Sequence, residues 1–178
     1  PNGTTMLYDA GKLGSPVGAA RPISAVLWSR GITHLDAIVI SHADADHFNG
    51  VPELLTRHSV GVIYVSPVMF DQTDQPAVVD LHAAIKKSGV PIQHLSAGDK
   101  LRVGDDTALE ILHPPALGVI GNDNANSIVL LIEHAGRKVL LPGDLESPGL
   151  EDLLAELPIM GQQDRTRKDS PIGVGRSM

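Results

Sequence analysis

Short, densely apolar runs dominate the first half of the chain and alternate with stretches of helical period. Residues 5–9 (TMLYD) read as a strand ended by Gly11 and Gly14, while 36–41 (DAIVIS) and 61–66 (GVIYVS) are the β-branched runs expected of strands buried on both faces. Between them, 23–30 repeats with a helical period closed by Gly31, and 77–88 does the same. Asn49 is positioned to cap a short helix with Pro52 in its first turn. Past residue 91 the pattern changes. A short strand at 91–95 is followed by two hairpins, 100–103 with 107–113 around Gly104-Asp105-Asp106, and 127–133 with 138–141 around Ala135-Gly136. A last helix spans 148–157. Residues 161–178 carry no periodicity and are rich in Gly, Ser and Arg, which predicts a flexible tail behind a domain covering 1–160.

Composition narrows this to an α/β class. The chain has 178 residues, 42% of them hydrophobic, enough for one domain with a real core. Only 3% are aromatic, so aliphatic side chains must fill that core, which suits sheets covered by helices. The longest apolar runs, such as 128–132, fall far short of the roughly 20 residues that cross a bilayer, so no membrane contact is expected of this chain itself. There is no cysteine, so any metal must be held by nitrogen and oxygen. The net charge of −7 opposes binding to a polyanion, although two bound divalent cations would bring it to about −3. The chain opens at Pro1 with no signal-peptide pattern and runs directly into its first strand, as a fragment or a processed chain would.

Candidate chemistry is concentrated in residues 41–47, SHADADH. His42, Asp44, Asp46 and His47 are four potential metal ligands in six positions, spaced by alanine and placed at the end of a buried strand. Carboxylates and imidazoles gathered there repel one another or stay desolvated unless a cation joins them. In an extended turn the side chains of 42, 44 and 46 point the same way, and a bend at Asp46-His47 turns the last two toward a second point, which suits a binuclear centre.

This cluster resembles the HxHxDH signature of the metallo-β-lactamase superfamily, with Asp44 in place of the second histidine. The HxDxDH form, together with LYDAG (7–11), RGITHLDAIVISHADADH (30–47) and NDNANSIVLLIEHAGRKVLLPGDLE (122–146), is similar to the C-terminal domain of ComEC-type DNA-uptake proteins. The resemblance spans about residues 4–157. It implies an αβ/βα four-layer sandwich, truncated or altered at its C-terminal end, because MGQQDRTRKDS stands where the family continues with HHGS. It also implies that His42 and Asp44 hold one metal, that Asp46 and His47 hold another, and that Asp144 in LLPGDLE bridges them, with Asp46 and Asp144 in the catalytic machinery. Asp9 would brace the ligand loop by hydrogen bonding. The polar loop 122–127 replaces a family histidine, so Asn124 or Asn126 is a candidate oxygen ligand or an ordinary loop former. His113, before Pro114-Pro115, is a candidate cleft residue or a plain strand-end histidine. His34, His58, His82, His94 and His134 read as surface or satisfied residues in helix or turn contexts.

The chemistry implied is hydrolysis assisted by two divalent ions, Mn²⁺ or Zn²⁺, with Mg²⁺ as a further candidate and the second ion weakly held. A carboxylate at 44 makes the site harder than a histidine would and favours Mn²⁺ or Mg²⁺ over a zinc-only centre. By resemblance the substrate is DNA and the related full-length protein is membrane-embedded. Two alternatives remain open: a hydrolase of a small ester, lactam or phosphoester, and a non-catalytic metal-binding domain. Metal-dependent activity on single-stranded DNA discriminates among them.

Overall fold

The computed structural model describes residues 3–71, 75–103 and 106–156. The apolar runs of the first half become one parallel sheet in which β1 (Met6–Tyr8), β2 (His34–Val39), β3 (Ser59–Val65) and β4 (Ile92–His94) lie side by side in chain order. Ile38 of β2 sits level with Leu7 of β1 and Ile63 of β3. Parallel neighbours require crossovers, and α1 (Ala20–Ser29), α2 (Ala45–Phe48), α3 (Val51–Arg57) and α4 (Pro76–Ser88) lie in them. Ile38, Ile40 and Ile63 face these helices and form one buried cluster with Leu27, Leu54, Leu81 and Ile85.

The next residue along β2 faces the other way. Val39 packs with Leu109, Ile111 and Leu130 of a second, antiparallel sheet and with Ile128 just ahead of one of its strands. That sheet is a meander of β5 (Lys100–Val103), β6 (Thr107–His113), β7 (Val129–His134) and β8 (Arg137–Leu141). Beyond it, α5 (Gly149–Glu156) lies against β6 and a 3-10 turn at Asn124–Asn126. The layers run helix, parallel sheet, antiparallel sheet, helix, the αβ/βα order the family resemblance implies, with α5 the sole outer helix among the described residues. None of the described helices is long and apolar enough to cross a membrane.

Several local expectations need correction. α1 begins three residues before the periodic stretch, because Pro22 falls in its first turn, where a missing N–H has no partner to lose. Asn49 does not cap α3; Gly50 stands at that position, and the Asn49 carboxamide instead bonds the Lys12 backbone, accepting from its N–H at 3.1 Å and donating to its carbonyl at 2.8 Å. His34, His94 and His134 belong to strands rather than to helices or turns. The tip of the first hairpin at 104–105 and the expected tail at 161–178 lie outside the described residues.

Two hydrogen bonds tie the sheets together at one end. Ser41 accepts from the Ile128 N–H at 2.8 Å, and the Tyr8 hydroxyl donates to the Ile128 carbonyl at 2.6 Å. Burial, with the nearby Asp9 charge, pushes the Tyr8 phenol well above its ordinary range, so it remains a donor. This pinned end is where the SHADADH segment emerges.

Candidate metal centre

The segment leaves β2 buried and stays buried through Ala43, because Ser41 and His42 lie under the junction of the two sheets. It does not continue as an extended turn. Asp44 is extended (φ −82°, ψ 131°), and the chain then coils into α2, so Asp46 and His47 are successive residues of a helical turn rather than the two sides of a bend. The turn is held by close backbone packing. Ala10 donates to the His47 carbonyl at 2.7 Å and accepts from Gly50 at 2.8 Å. A Cβ at Gly11 would lie 2.1 Å from the Asp46 carbonyl oxygen, so glycine alone permits this approach.

His47 thereby faces back toward His42. Their rings lie 4.1 Å apart between centroids, and ligand atoms of His42, His47 and Asp144 all fall within 4.8 Å of one another. His47 Nε2 is 3.3 Å from Asp144 Oδ2, and His42 Nε2 is 3.6 Å from Asp44 Oδ2. Asp144 arrives from the far side of the molecule, just after β8. Gly143 at φ +58° makes the turn, with its own Cβ position 3.0 Å from Ser41 Cβ. Asp46 is half-buried and adds its charge at His47, but it stands outside the three-residue convergence.

Asp9 underlies this group. It follows β1 in the left-handed region (φ 57°) and accepts from the Ser41 N–H at 2.8 Å, the Ser41 hydroxyl at 2.8 Å and His47 Nδ1 at 2.9 Å. The Ser41 hydroxyl also lies 2.8 Å from His42 Nδ1. Sequence reasoning noted Ser41 only as a residue preceding the cluster and missed its bridging position; the signal was a hydroxyl residue directly before the first histidine, whose carboxylate partner is 32 positions away.

The electrostatics suit a cation. His42 Nε2 is buried, has no hydrogen-bond partner and lies 3.6 Å from Asp44 Oδ2, an arrangement costly for a polar atom unless something else meets it. Burial lowers the His42 pKa, and His47 lowers it further. At His47 burial also acts downward, but the hydrogen bond and charge of Asp9, with Asp144 and Asp46, outweigh it and raise the pKa. Four carboxylates thus surround two imidazoles whose Nε2 atoms each face one of them, Asp44 at His42 and Asp144 at His47. Nitrogen and oxygen donors of this kind fit a divalent first-row ion.

The remaining candidates have local roles in the structure. The Asn126 carboxamide closes the preceding loop, its oxygen accepting from the Val119 N–H at 2.7 Å and its nitrogen donating to the Val119 carbonyl at 2.9 Å. Asn124 begins the 3-10 turn and is half-buried. His113 is buried, its Nε2 2.9 Å from the Ala125 carbonyl and its Nδ1 3.8 Å from Asp152 on α5, so it ties β6 to the outer layer.

Comparison with known proteins bears on this arrangement. A family model described as metallo-beta-lactamase superfamily matches residues 1–172. The chain is 30% identical over 132 residues to ComE operon protein 3 of Bacillus subtilis, an alignment covering 74% of this chain and 16% of that much longer protein. Among solved structures, Zn²⁺-bound PqqB from Methylobacterium extorquens matches at 17% identity and a TM-score of 0.41, over 60% of this chain and 37% of its own. CmlA, a diiron beta-hydroxylase from Streptomyces venezuelae, matches at 19% identity and a TM-score of 0.43, over 72% of this chain and 24% of its own.

Proposed function

The chain belongs to the metallo-beta-lactamase superfamily, whose members are generally metal-dependent hydrolases, and from that premise we propose that it is a metal-dependent phosphodiesterase acting on DNA. The observation that carries the metal reading is the clustering of His42, His47 and Asp144 beside a His42 Nε2 that is buried and unpartnered. These three residues form the core of the site, with Asp44 beside His42 and Asp46 beside His47 completing the donor set for two divalent ions. A bound divalent ion supplies an activated water near neutral pH and stabilises charge developing on the attacked centre.

The chain's own residues define the rest. His42 and His47 present Nε2 atoms from a rigid, buried base. Asp144, with a side chain 57% exposed, stands at the open side, where a carboxylate can orient a water and hold its proton. Asp9 fixes the base from behind. The carboxylates around the site would repel a phosphodiester in the absence of cations, so DNA binding itself should require metal. The competence connection rests on the likeness to ComE operon protein 3, of which this chain spans 16%.

One observation favours a second reading, hydrolysis of a small ester, lactam or phosphoester. Tyr8 and Tyr64 pack against the inter-sheet core, Phe48 is buried and Phe70 stacks on His82, leaving Trp28, which packs on His58 and Arg57, as the one largely exposed ring among the described aromatics. Single-stranded DNA is commonly held on stacked aromatic platforms. Assaying the chain with Mn²⁺ against single-stranded DNA, a small phosphodiester and a β-lactam separates the readings. The proposal expects DNA cleavage that disappears in His47→Ala while the fold persists by circular dichroism. Turnover of a small substrate with no cleavage of DNA would transfer the assignment to the second reading, and no turnover of any substrate despite metal binding would leave a binding domain.

A further inference from the structure

We infer that the Ser41 hydroxyl is a positioning residue that sets the tautomer of His42, so that Asp9 orients both imidazoles of the cluster, His47 directly and His42 through Ser41. This deepens the metal reading above and follows from a count of protons. A hydroxyl has one proton to give and a carboxylate only accepts. Ser41 Oγ lies 2.8 Å from Asp9 Oδ2 and 2.8 Å from His42 Nδ1, both with hydrogen-bond geometry. Were the serine proton given to His42, two lone pairs would face each other across the 2.8 Å contact with Asp9. The proton therefore goes to Asp9, Oγ accepts, and His42 carries its hydrogen on Nδ1. The Tyr8 phenol also feels the Ser41 hydroxyl, but its own proton goes to Ile128 at 2.6 Å and the carboxylate is the stronger acceptor.

The same count applies at His47, whose Nδ1 lies 2.9 Å from Asp9 Oδ2 and must donate. With each ring neutral, the bare lone pair is then on Nε2, facing a carboxylate oxygen 3.6 Å away at Asp44 and 3.3 Å away at Asp144, an opposition that a cation between them relieves. The geometry keeps this unambiguous. Ser41 is fully buried, its backbone N–H is held by Asp9 Oδ1 at 2.8 Å, and the Gly143 turn closes on its Cβ, so the hydroxyl has no water to turn to. One carboxylate thus readies two ligand nitrogens, and it reaches the second through a neighbour in sequence.

The test is long-range ¹H–¹⁵N NMR of the imidazoles in the metal-free protein, at a pH well above the ordinary histidine range, followed by titration with Zn²⁺ alone. Wild type should show both His42 and His47 as Nδ1–H tautomers. Ser41→Ala should shift His42 toward Nε2–H, leave His47 unchanged and weaken Zn²⁺ binding by about 10- to 100-fold, the usual effect of losing a hydrogen-bond partner behind a ligand. Ser41→Thr, which keeps the hydroxyl, should restore both. An Nε2–H tautomer at His42 in wild type overturns the inference, and so does a Ser41→Ala protein that keeps the Nδ1–H signal or the wild-type affinity. If Ser41→Ala does not fold, the wild-type spectrum and Ser41→Thr decide. Wild type with both Nδ1–H tautomers but no Zn²⁺ uptake would support the proton assignment while removing the metal reading.

Discussion

Two histidines five positions apart reach the same point only because one lies at a strand end and the other within a helical turn. SHADADH advertised metal chemistry by residue type, since four potential ligands with small spacers have few other uses after a buried strand. Which atoms converge was not legible there. An extended reading pairs 44 with 42 and 46, whereas α2 turns Asp46 aside and brings His47 back over His42. Asp144 is 97 residues beyond His47 and came from the family resemblance rather than from spacing. Asp44 carries a prediction at this scale. Its Oδ2 lies 3.6 Å from His42 Nε2, and a carboxylate there is a harder donor than an imidazole. In competition titrations, Asp44→His should gain affinity for Zn²⁺ relative to Mn²⁺ by about tenfold, or roughly 1.4 kcal/mol. An unchanged ratio would show that Asp44 does not set the preference.

Among the elements, long apolar runs and hairpins were legible and short irregular pieces were not. β5 and β6 fall on the residues their pattern predicted, because alternation and a Gly-Asp-Asp break are local signals. α2 has four residues, too few for any period to appear, and its position depends on Gly11 and Gly50 meeting backbone from elsewhere. His58 is a similar case. It read as a surface or satisfied histidine and is 5% exposed, bonded through Nε2 to Ser24 Oγ at 3.0 Å and packed on Trp28, so it joins α3 to α1. Burial lowers its pKa below the ordinary 6.5 and Arg57 adds to this, with a partial offset from Thr33. The folded protein therefore refuses a proton that the unfolded chain accepts, and stability present above about pH 6.5 is lost as pH falls toward the folded-state value. Urea melts between pH 7 and 5 should show a declining midpoint, with a limiting slope of about 1.4 kcal/mol per pH unit from one such group. His58→Phe should flatten that decline even if it lowers stability overall, and an unchanged slope would exclude His58 as a source.

At the scale of the whole molecule, the patterning reached only an α/β class and the layer order came from the family resemblance, while the contact between sheets was legible in neither. Tyr8, read as one apolar position in a strand, spans the inter-sheet boundary to Ile128, and Ser41 receives the Ile128 N–H beside it. Those two bonds join the halves where Asp9, His42 and His47 come from the parallel sheet side and Asp144 from the antiparallel side. The site is therefore a product of sheet packing, and metal binding should depend on both halves. The most direct test is metal content per chain after loading with Mn²⁺ or Zn²⁺ and exhaustive dialysis, comparing wild type, the His42→Ala, His47→Ala double variant and Asp144→Asn. Wild type should retain at least one ion, the double variant none, and Asp144→Asn less than wild type with its fold intact. Equal metal retained by wild type and the double variant would contradict the account.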